Sequence, residues 1–246
     1  MNSAPATPTP ALRLRGRDAL EVLHRISTQS LMDLAPGDGR ATMFCDFRGR
    51  LMHRAWVAHA EPGIVWLLRA DARAADLAAF VDRSVFREDV TLEDATGNTE
   101  APELPEAERF ASELDRIRSG APRHGHEIAE EFTPFEIGRS HEVHLSKGCF
   151  TGQEALMRLT TYQSVRRRLA LVGGAGATPQ VPVDVTRDGL RTGRLTSVVT
   201  DGAGWLGLAV LAHEAVEHPA GLVCADLAVT LVEAFPLTRP LGLPES

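Results

Sequence analysis

Residues 144–158 read HLSKGCFTGQEALMR, and the rest of the chain is best read outward from them. The stretch holds Cys149, one of three cysteines, and Lys147; the other 25 of the 26 basic residues are arginine. Gly148 and Gly152 bracket the cysteine and permit a tight bend. Good helix formers, QEALMRL, follow Gly152 and predict a short helix over about 152–161. Cys149 is therefore expected just before a helix N-terminus, where unpaired N–H groups and the helix dipole favour an anion. Lys147 adds a compact positive charge nearby, and both effects would stabilise a thiolate. Gln153 and Glu154 fall in the first turn, and Glu154 and Arg158 have the spacing and order of a helical ion pair. A second reading stays open at this point. Free cysteine is among the most buried residue types, so Cys149 could equally be a small residue in a glycine-rich turn.

Downstream of the motif the chain reads as strand after strand: RRLALVG, QVPVDV, RTGRLTSVV, WLGLAVL and LVCADLAVTLV, punctuated by Gly and Pro. This predicts a small antiparallel barrel or sandwich. Upstream, residues 1–10 read as a loose tail and ALRLR as a short strand. A helix follows from about Asp18, because Ala19, Val22, Leu23 and Ile26 share one face. RATMFC and LMHRAWVAHA flank the turn-forming DFRG and predict a β-hairpin. GIVWLLR, a helix over about 71–83 burying Leu77, Phe80 and Val81, and the strand EDVTLED complete the order β-α-β-β-β-α-β. That order predicts helices on one face of a mainly antiparallel sheet. ATGNTEAPELPEAE reads as a linker. A helix carrying Phe110, Leu114 and Ile117 follows, then a long irregular stretch, SGAPRHGHEIAEEFTPFEIGRS, of the kind that is usually functional or disordered.

Composition narrows the classes. At 246 residues the chain can bury a substantial core, and 43% hydrophobic with 24% charged residues is ordinary for a globular protein. A net charge of −7 argues against broad nucleic-acid binding, which needs a basic face. The run Arg166–Arg168 reads as a solvated strand edge. The N-terminal residues lack the pattern of a secretory signal, no stretch is apolar for long enough to span a bilayer, and three scattered cysteines make no disulfide framework. A reducing cytoplasm is the expected location.

Cys224 lies in an apolar alternating strand and reads as core; Cys45, before a turn, reads as structural. His141, His144 and Cys149 match no standard metal spacing. HEVHL is not the zinc-protease HExxH motif. No Walker loop, GxGxxG or GxSxG occurs.

KGCFTGQE followed by Arg158 resembles the K-G-C-[YF]-x-G-Q-E-x-x-x-R signature of the folate-binding YgfZ family and its mitochondrial iron–sulfur assembly relatives of the IBA type. The resemblance extends to LRLRGRDALEVLHRISTQSLMDLAPGDGRATMFCDFRGRL, with its CDxxGR element (Asp46, Gly49, Arg50), to RIRSGAPRHGHEIAEEFTPFEIG, and to TGRLTSVV and WLGLAVL. It implies the fold of the folate-dependent aminomethyltransferase (T-protein) of glycine cleavage. The expected class is α+β: an N-terminal sheet-and-helix domain over 11–95 and a C-terminal antiparallel β-barrel over 165–240. A segment over 107–164 carries the signature and packs on the N-terminal domain. The linker over 96–106 stands where the family has most of a ferredoxin-like middle domain.

The resemblance also implies a function. Such proteins help assemble or maintain iron–sulfur clusters, supporting enzymes such as those that methylthiolate tRNA, and depend most on the signature cysteine. It marks Lys147, Gly148, Cys149, Phe150, Gly152, Gln153, Glu154 and Arg158 as the functional motif. Cys149 would be one ligand of a transient cluster shared with an iron–sulfur carrier or client protein. Tetrahydrofolate is the family ligand. The positions matched to its aromatic contacts fall near Thr9 and Ser112, so weak or no folate binding is expected. His53 and Arg54 align with the Asp pair of the T-protein. Neither supplies a negative charge, so aminomethyl transfer is not expected, and a folate-dependent C1-transfer enzyme or a plain folate-binding module stands as the alternative.

Overall fold

A computed structural model describes residues 8–243; most of the expected N-terminal tail lies outside the described residues. The first sheet has five strands: β1 (Ala11–Arg15), β2 (Gly39–Cys45), β3 (Leu51–Glu61), β4 (Ile64–Leu68) and β5 (Thr91–Asp94). Their order is β2-β3-β4-β1-β5, with every pair antiparallel. Alternation assigns the two faces. Leu12, Leu14, Val65 and Leu67 point to one side. There they meet Ala19, Val22, Leu23 and Ile26 of α1 (Ala19–Ile26), and Leu77 and Val81 of α2 (Ala74–Asp82). Phe80 is only partly buried, edge-on to Phe44.

The other face of this sheet carries Ala11, Trp66 and Leu68, and the linker covers it. Residues 96–106 form a strap of turns and coil with Leu104 buried and Ala101 against the same cluster. Arg13, itself buried under Trp66, ties the strap down through Glu100 at 2.8 Å and holds β5 through Glu93 at 2.7 Å. Between β5 and the next α-helix the described residues form no further strand.

That helix, α3 (Glu113–Arg118), is shorter than the periodicity predicts. The Ser112 Oγ accepts the Asp115 N–H at 3.1 Å and caps the helix. Phe110 therefore lies before the helix start, and of the expected apolar face only Ile117 is buried.

The second sheet comprises β6 (Arg167–Ala175), β7 (Val183–Arg187), β8 (Leu190–Asp201), β9 (Gly204–Ala212), β10 (Val223–Cys224), β11 (Leu227–Ala228) and β12 (Thr230–Ala234), in the order β11-β10-β7-β8-β9-β6-β12. LVCADLAVTLV is thus three short strands rather than one: Ala225 and Asp226 adopt φ of 45° and 64° and turn the chain back. The two edge strands, β11 and β12, are separated in sequence by Val229 alone, so the sheet has to curl until its ends nearly meet. The curl encloses Ala170, Val172, Leu195, Trp205 and Cys224.

The outer residues of the same strands, Leu169, Leu171, Leu208 and Val210, join a cluster with Met43, Cys45 and Leu51 of the first sheet and with Ile117, Phe132, Phe135, Phe150 and Leu156. The segment over 107–164 therefore packs between both sheets and not on the N-terminal one alone. Within the basic run, Arg167 is bonded to Glu136 at 2.7 Å and stands over the Phe132 ring, so it is part of this junction and not an open patch.

Candidate functional site

Two of the sequence motifs come together in space. The hairpin turn Cys45–Arg50 is locked by Asp46, whose Oδ1 accepts the N–H groups of Arg48 and Arg50, each at 2.8 Å. Gly152 lies on this turn with φ +86°, as the residue before α4 (Gln153–Thr161). A Cβ there would stand 2.5 Å from the Asp46 carbonyl oxygen and 3.1 Å from Gly49 Cα. Gly49 in turn abuts Leu156 of α4. Arg50 points elsewhere, donating to the Glu131 carbonyl at 2.9 Å.

The signature loop is anchored on both sides. The Leu145 carbonyl accepts from the Gln153 side chain at 2.8 Å, and Phe150 is buried. The Lys147 ammonium donates to the His24 carbonyl and lies 5.0 Å from the centre of the Phe150 ring. His24 answers from its ring: Nδ1 accepts the Leu31 N–H at 3.1 Å, which leaves Nε2 to donate to the Lys147 carbonyl at 3.1 Å. Burial, with the Lys147 charge next in importance, pushes the His24 pKa down and keeps the ring neutral. Burial also lowers Lys147 to about 8.

Gly148 and Cys149 are left exposed at the crest of the loop, three or more residues before the helix start. No hydrogen bond or ion pair joins Lys147 to Cys149 among the described residues; its amine holds the loop to α1. Cys45 and Cys224 are both buried. The Glu154–Arg158 pair forms at 2.6 Å on the open face of α4. Among the described residues no three His, Cys, Asp or Glu side chains converge as a metal-binding group. His141 is half exposed, 3.7 Å from Glu142.

The second feature is a cavity of about 710 Å³ between the first sheet, the strap and the 107–128 segment. Of its walls, sequence reasoning had tied only Thr9, Arg54 and Ser112 to a ligand or catalytic position. Trp56 and Phe110 supply the aromatic faces, and both Thr9 and Ser112, the positions matched to folate contacts, lie in the lining. Arg54 is at the wall, largely buried, and its guanidinium is saturated: it meets Glu108 at 2.6 and 2.7 Å and Glu142 at 2.8 Å through two nitrogens. Two carboxylates thus reach the region of the aligned Asp pair, but both are engaged by Arg54.

His53, its neighbour, lies on the helix side of the sheet, edge-on to Phe80. Burial first, then Arg69 and His124, lower its pKa to about 4. His124 is held by Asp71 at 2.6 Å through Nδ1 and accepts the Arg54 backbone N–H through Nε2 at 3.1 Å, so no ring nitrogen is free to act as a base. Glu108 and Glu142 carried little signal in the sequence, one inside an aperiodic linker and the other between two histidines.

No protein-family model matches the chain. Over 103 residues it is 36% identical to a chloroplastic protein of Arabidopsis thaliana named "Putative transferase At1g60990"; the match takes in 41% of this chain and 23% of that protein, so the chain spans less than a quarter of the relative's length. Among solved structures it superposes on the glycine cleavage system aminomethyltransferase T from Bartonella henselae with a TM-score of 0.66, over 95% of this chain and 85% of that one, at 12% identity. The likeness is one of fold: mixed sheets with few helices, one of them a curled antiparallel sheet, fit a T-protein-like fold. No helix among the described residues is long and apolar enough to cross a membrane.

Proposed function

We propose that this chain is a YgfZ-like accessory protein built on the T-protein fold, which serves iron–sulfur enzymes in the cytoplasm through Cys149. The observation that carries the reading is the presentation of that thiol: the one exposed cysteine, at the crest of a loop anchored to α1, to the hairpin turn and to the core. A cluster normally takes four ligands. Here it is the substrate, and a carrier or client protein supplies the remaining thiolates; tRNA-methylthiolating enzymes are among the proposed clients.

Aminomethyl transfer is not part of the proposal, because the carboxylates near the aligned Asp position are neutralised by Arg54. The cavity supports a second reading, a folate-binding module. Its volume lies in the range of small-molecule sites. Trp56 and Phe110 could flank an aromatic ring, and the wall guanidiniums could meet carboxylates. Bound tetrahydrofolate would supply a one-carbon acceptor, and this chain's residues would only hold and orient it.

The deciding experiment is deletion of the gene, with assays of several iron–sulfur enzymes and of methylthiolated tRNA bases, complemented by wild type and by Cys149→Ser. The expected result is loss of those activities and no rescue by Cys149→Ser although the variant folds. Full rescue by Cys149→Ser would sink the proposal. Release of methylene-tetrahydrofolate and ammonia from an aminomethylated carrier by the purified protein would establish transfer chemistry instead.

A further inference from the structure

A second cavity, of about 420 Å³, lies beside the C-terminal segment and shares no wall residue with the first. The segment is pinned at both ends. The Phe235 N–H donates to the Leu169 carbonyl at 3.1 Å, and the Leu241 N–H to the Val143 carbonyl at 2.8 Å. Between the pins, residues 236–240 form neither helix nor strand, and Leu237 and Pro240 contribute to the cavity wall. Phe135, Val165 and Leu159, which belongs to the last turn of α4, make the rest of its apolar lining. Leu237 stays 39% exposed, so an apolar group in the cavity would take that surface from water. The volume lies in the range of small-molecule sites.

One polar group in this wall lacks a partner. His213 follows β9 at the start of α5 (His213–Glu217) and is partly buried. Its backbone is fixed, with the N–H donating to the Arg166 carbonyl at 2.9 Å. Its Nε2 is buried and has no hydrogen-bond partner, which costs free energy until one is supplied. Charge points to a neutral ligand. No Asp or Glu lines the cavity to hold a cation, and Arg239 in the wall has a partner of its own. The negative end of α4 opposes an anion.

We infer that this second cavity binds a small neutral molecule with an apolar body and one hydroxyl group, a phenol or an alcohol, whose hydroxyl pairs with His213 Nε2. A hydroxyl both donates and accepts, so it serves the imidazole in either tautomer. The nitrogen is buried as it stands and meets the ligand through a turn of the ring about Cβ–Cγ, a soft torsion. The apolar body covers Leu237 and packs on Leu159 and Val165. The site lies at the opposite end of α4 from Gly152 and Cys149. This goes beyond the function proposed above: it requires neither that the chain bind a folate nor that Cys149 act on clusters.

The test uses the whole protein and two probes of similar shape, 4-ethylphenol and ethylbenzene, titrated in NMR spectra with assigned methyl groups. 4-Ethylphenol is expected to shift the Leu159, Val165 and Leu237 methyls and to bind about fivefold tighter than ethylbenzene, the worth of one added hydrogen bond. A purely apolar cavity would give the reverse order, because burying an unpaired hydroxyl is costly. His213→Phe keeps a ring in the wall but removes the nitrogen, and should reverse the preference. On the wild type, the His213 Nε2 resonance should move with 4-ethylphenol and stay in place with ethylbenzene. The inference is overturned if neither probe binds, if ethylbenzene binds as well or better, if the shifted methyls lie elsewhere, or if His213→Phe still prefers the phenol. Should His213→Phe not fold, the Nε2 resonance of the wild type decides.

Discussion

Gly152 shows how one residue can carry a contact between distant parts of the chain. Its φ of +86° lies in the left-handed region, and any Cβ would press on the Asp46 carbonyl. Gly152→Ala combines backbone strain with a clash against rigid backbone, so a loss of about 2 kcal/mol or more is expected. A shift of the urea midpoint without a change in slope would register it; an unchanged midpoint would mean that the turn and the signature do not need this close approach. The cysteines give a second prediction at the same scale. Cys149 is exposed, while burial raises the Cys45 thiol far above its ordinary value, with Asp46 adding to the effect, and burial raises Cys224. Native protein should therefore take up one equivalent of iodoacetamide quickly, at Cys149, and the other two only on unfolding. Peptide mass spectrometry reads the sites, and equal labelling of Cys45 in native protein would contradict the placement.

At the scale of elements, the irregular run between α3 and the signature is held by a buried acid. Glu127 is fully buried and accepts the Ser197 hydroxyl at 2.7 Å, the Thr196 hydroxyl and the Arg123 N–H at 3.0 Å, with Arg116 at 3.3 Å. It fastens the loop to β8. Glu127→Ala leaves Arg116 partly uncompensated and the Ser197 hydroxyl without its carboxylate acceptor, while the Thr196 hydroxyl keeps the Leu208 carbonyl at 2.9 Å. A loss of about 3–5 kcal/mol is expected from such a break, with Glu127→Gln less damaging because the amide oxygen still accepts. Chemical denaturation of the two variants checks the order, which fails if Gln is as harmful as Ala. This element was legible in the sequence only as an aperiodic run. Strands and the helices α1 and α2 were legible because their apolar residues recur with the period of the element, and α4 because good helix formers follow Gly152. Phe110 misled because it extends that period past Ser112, where a capping hydroxyl starts the helix afresh.

For the molecule as a whole, buried histidines set the response to acid. The folded-state pKa of His53, about 4, lies below its ordinary 6.5, and burial also lowers His24, His124 and His141. Between these values the unfolded chain binds more protons than the folded one, so stability rises with pH across the window and falls as pH drops towards about 4. His53→Gln removes one titrating group and should flatten the curve between pH 4 and 6.5 without abolishing it, as read from urea midpoints in a pH series. A curve as steep as that of the wild type would show that His53 is not the group that titrates.

The sequence alone determined the α+β order and the succession of C-terminal antiparallel strands, because hydrophobic period and turn residues act over a few neighbouring positions; the exposure of Cys149 and the curl of the second sheet came from the tertiary structure. Tertiary structure alone decided where Lys147 points, since its partner, the His24 carbonyl, lies more than a hundred residues away in the chain. It also decided that the linker is a strap over the sheet, that Arg54 faces a cavity and His53 does not, and that Glu108, Glu142 and Arg139 gather there. Charged residues in aperiodic segments have no local pattern to announce them. Their positions follow from which guanidinium each carboxylate meets once burial has removed water as the alternative partner.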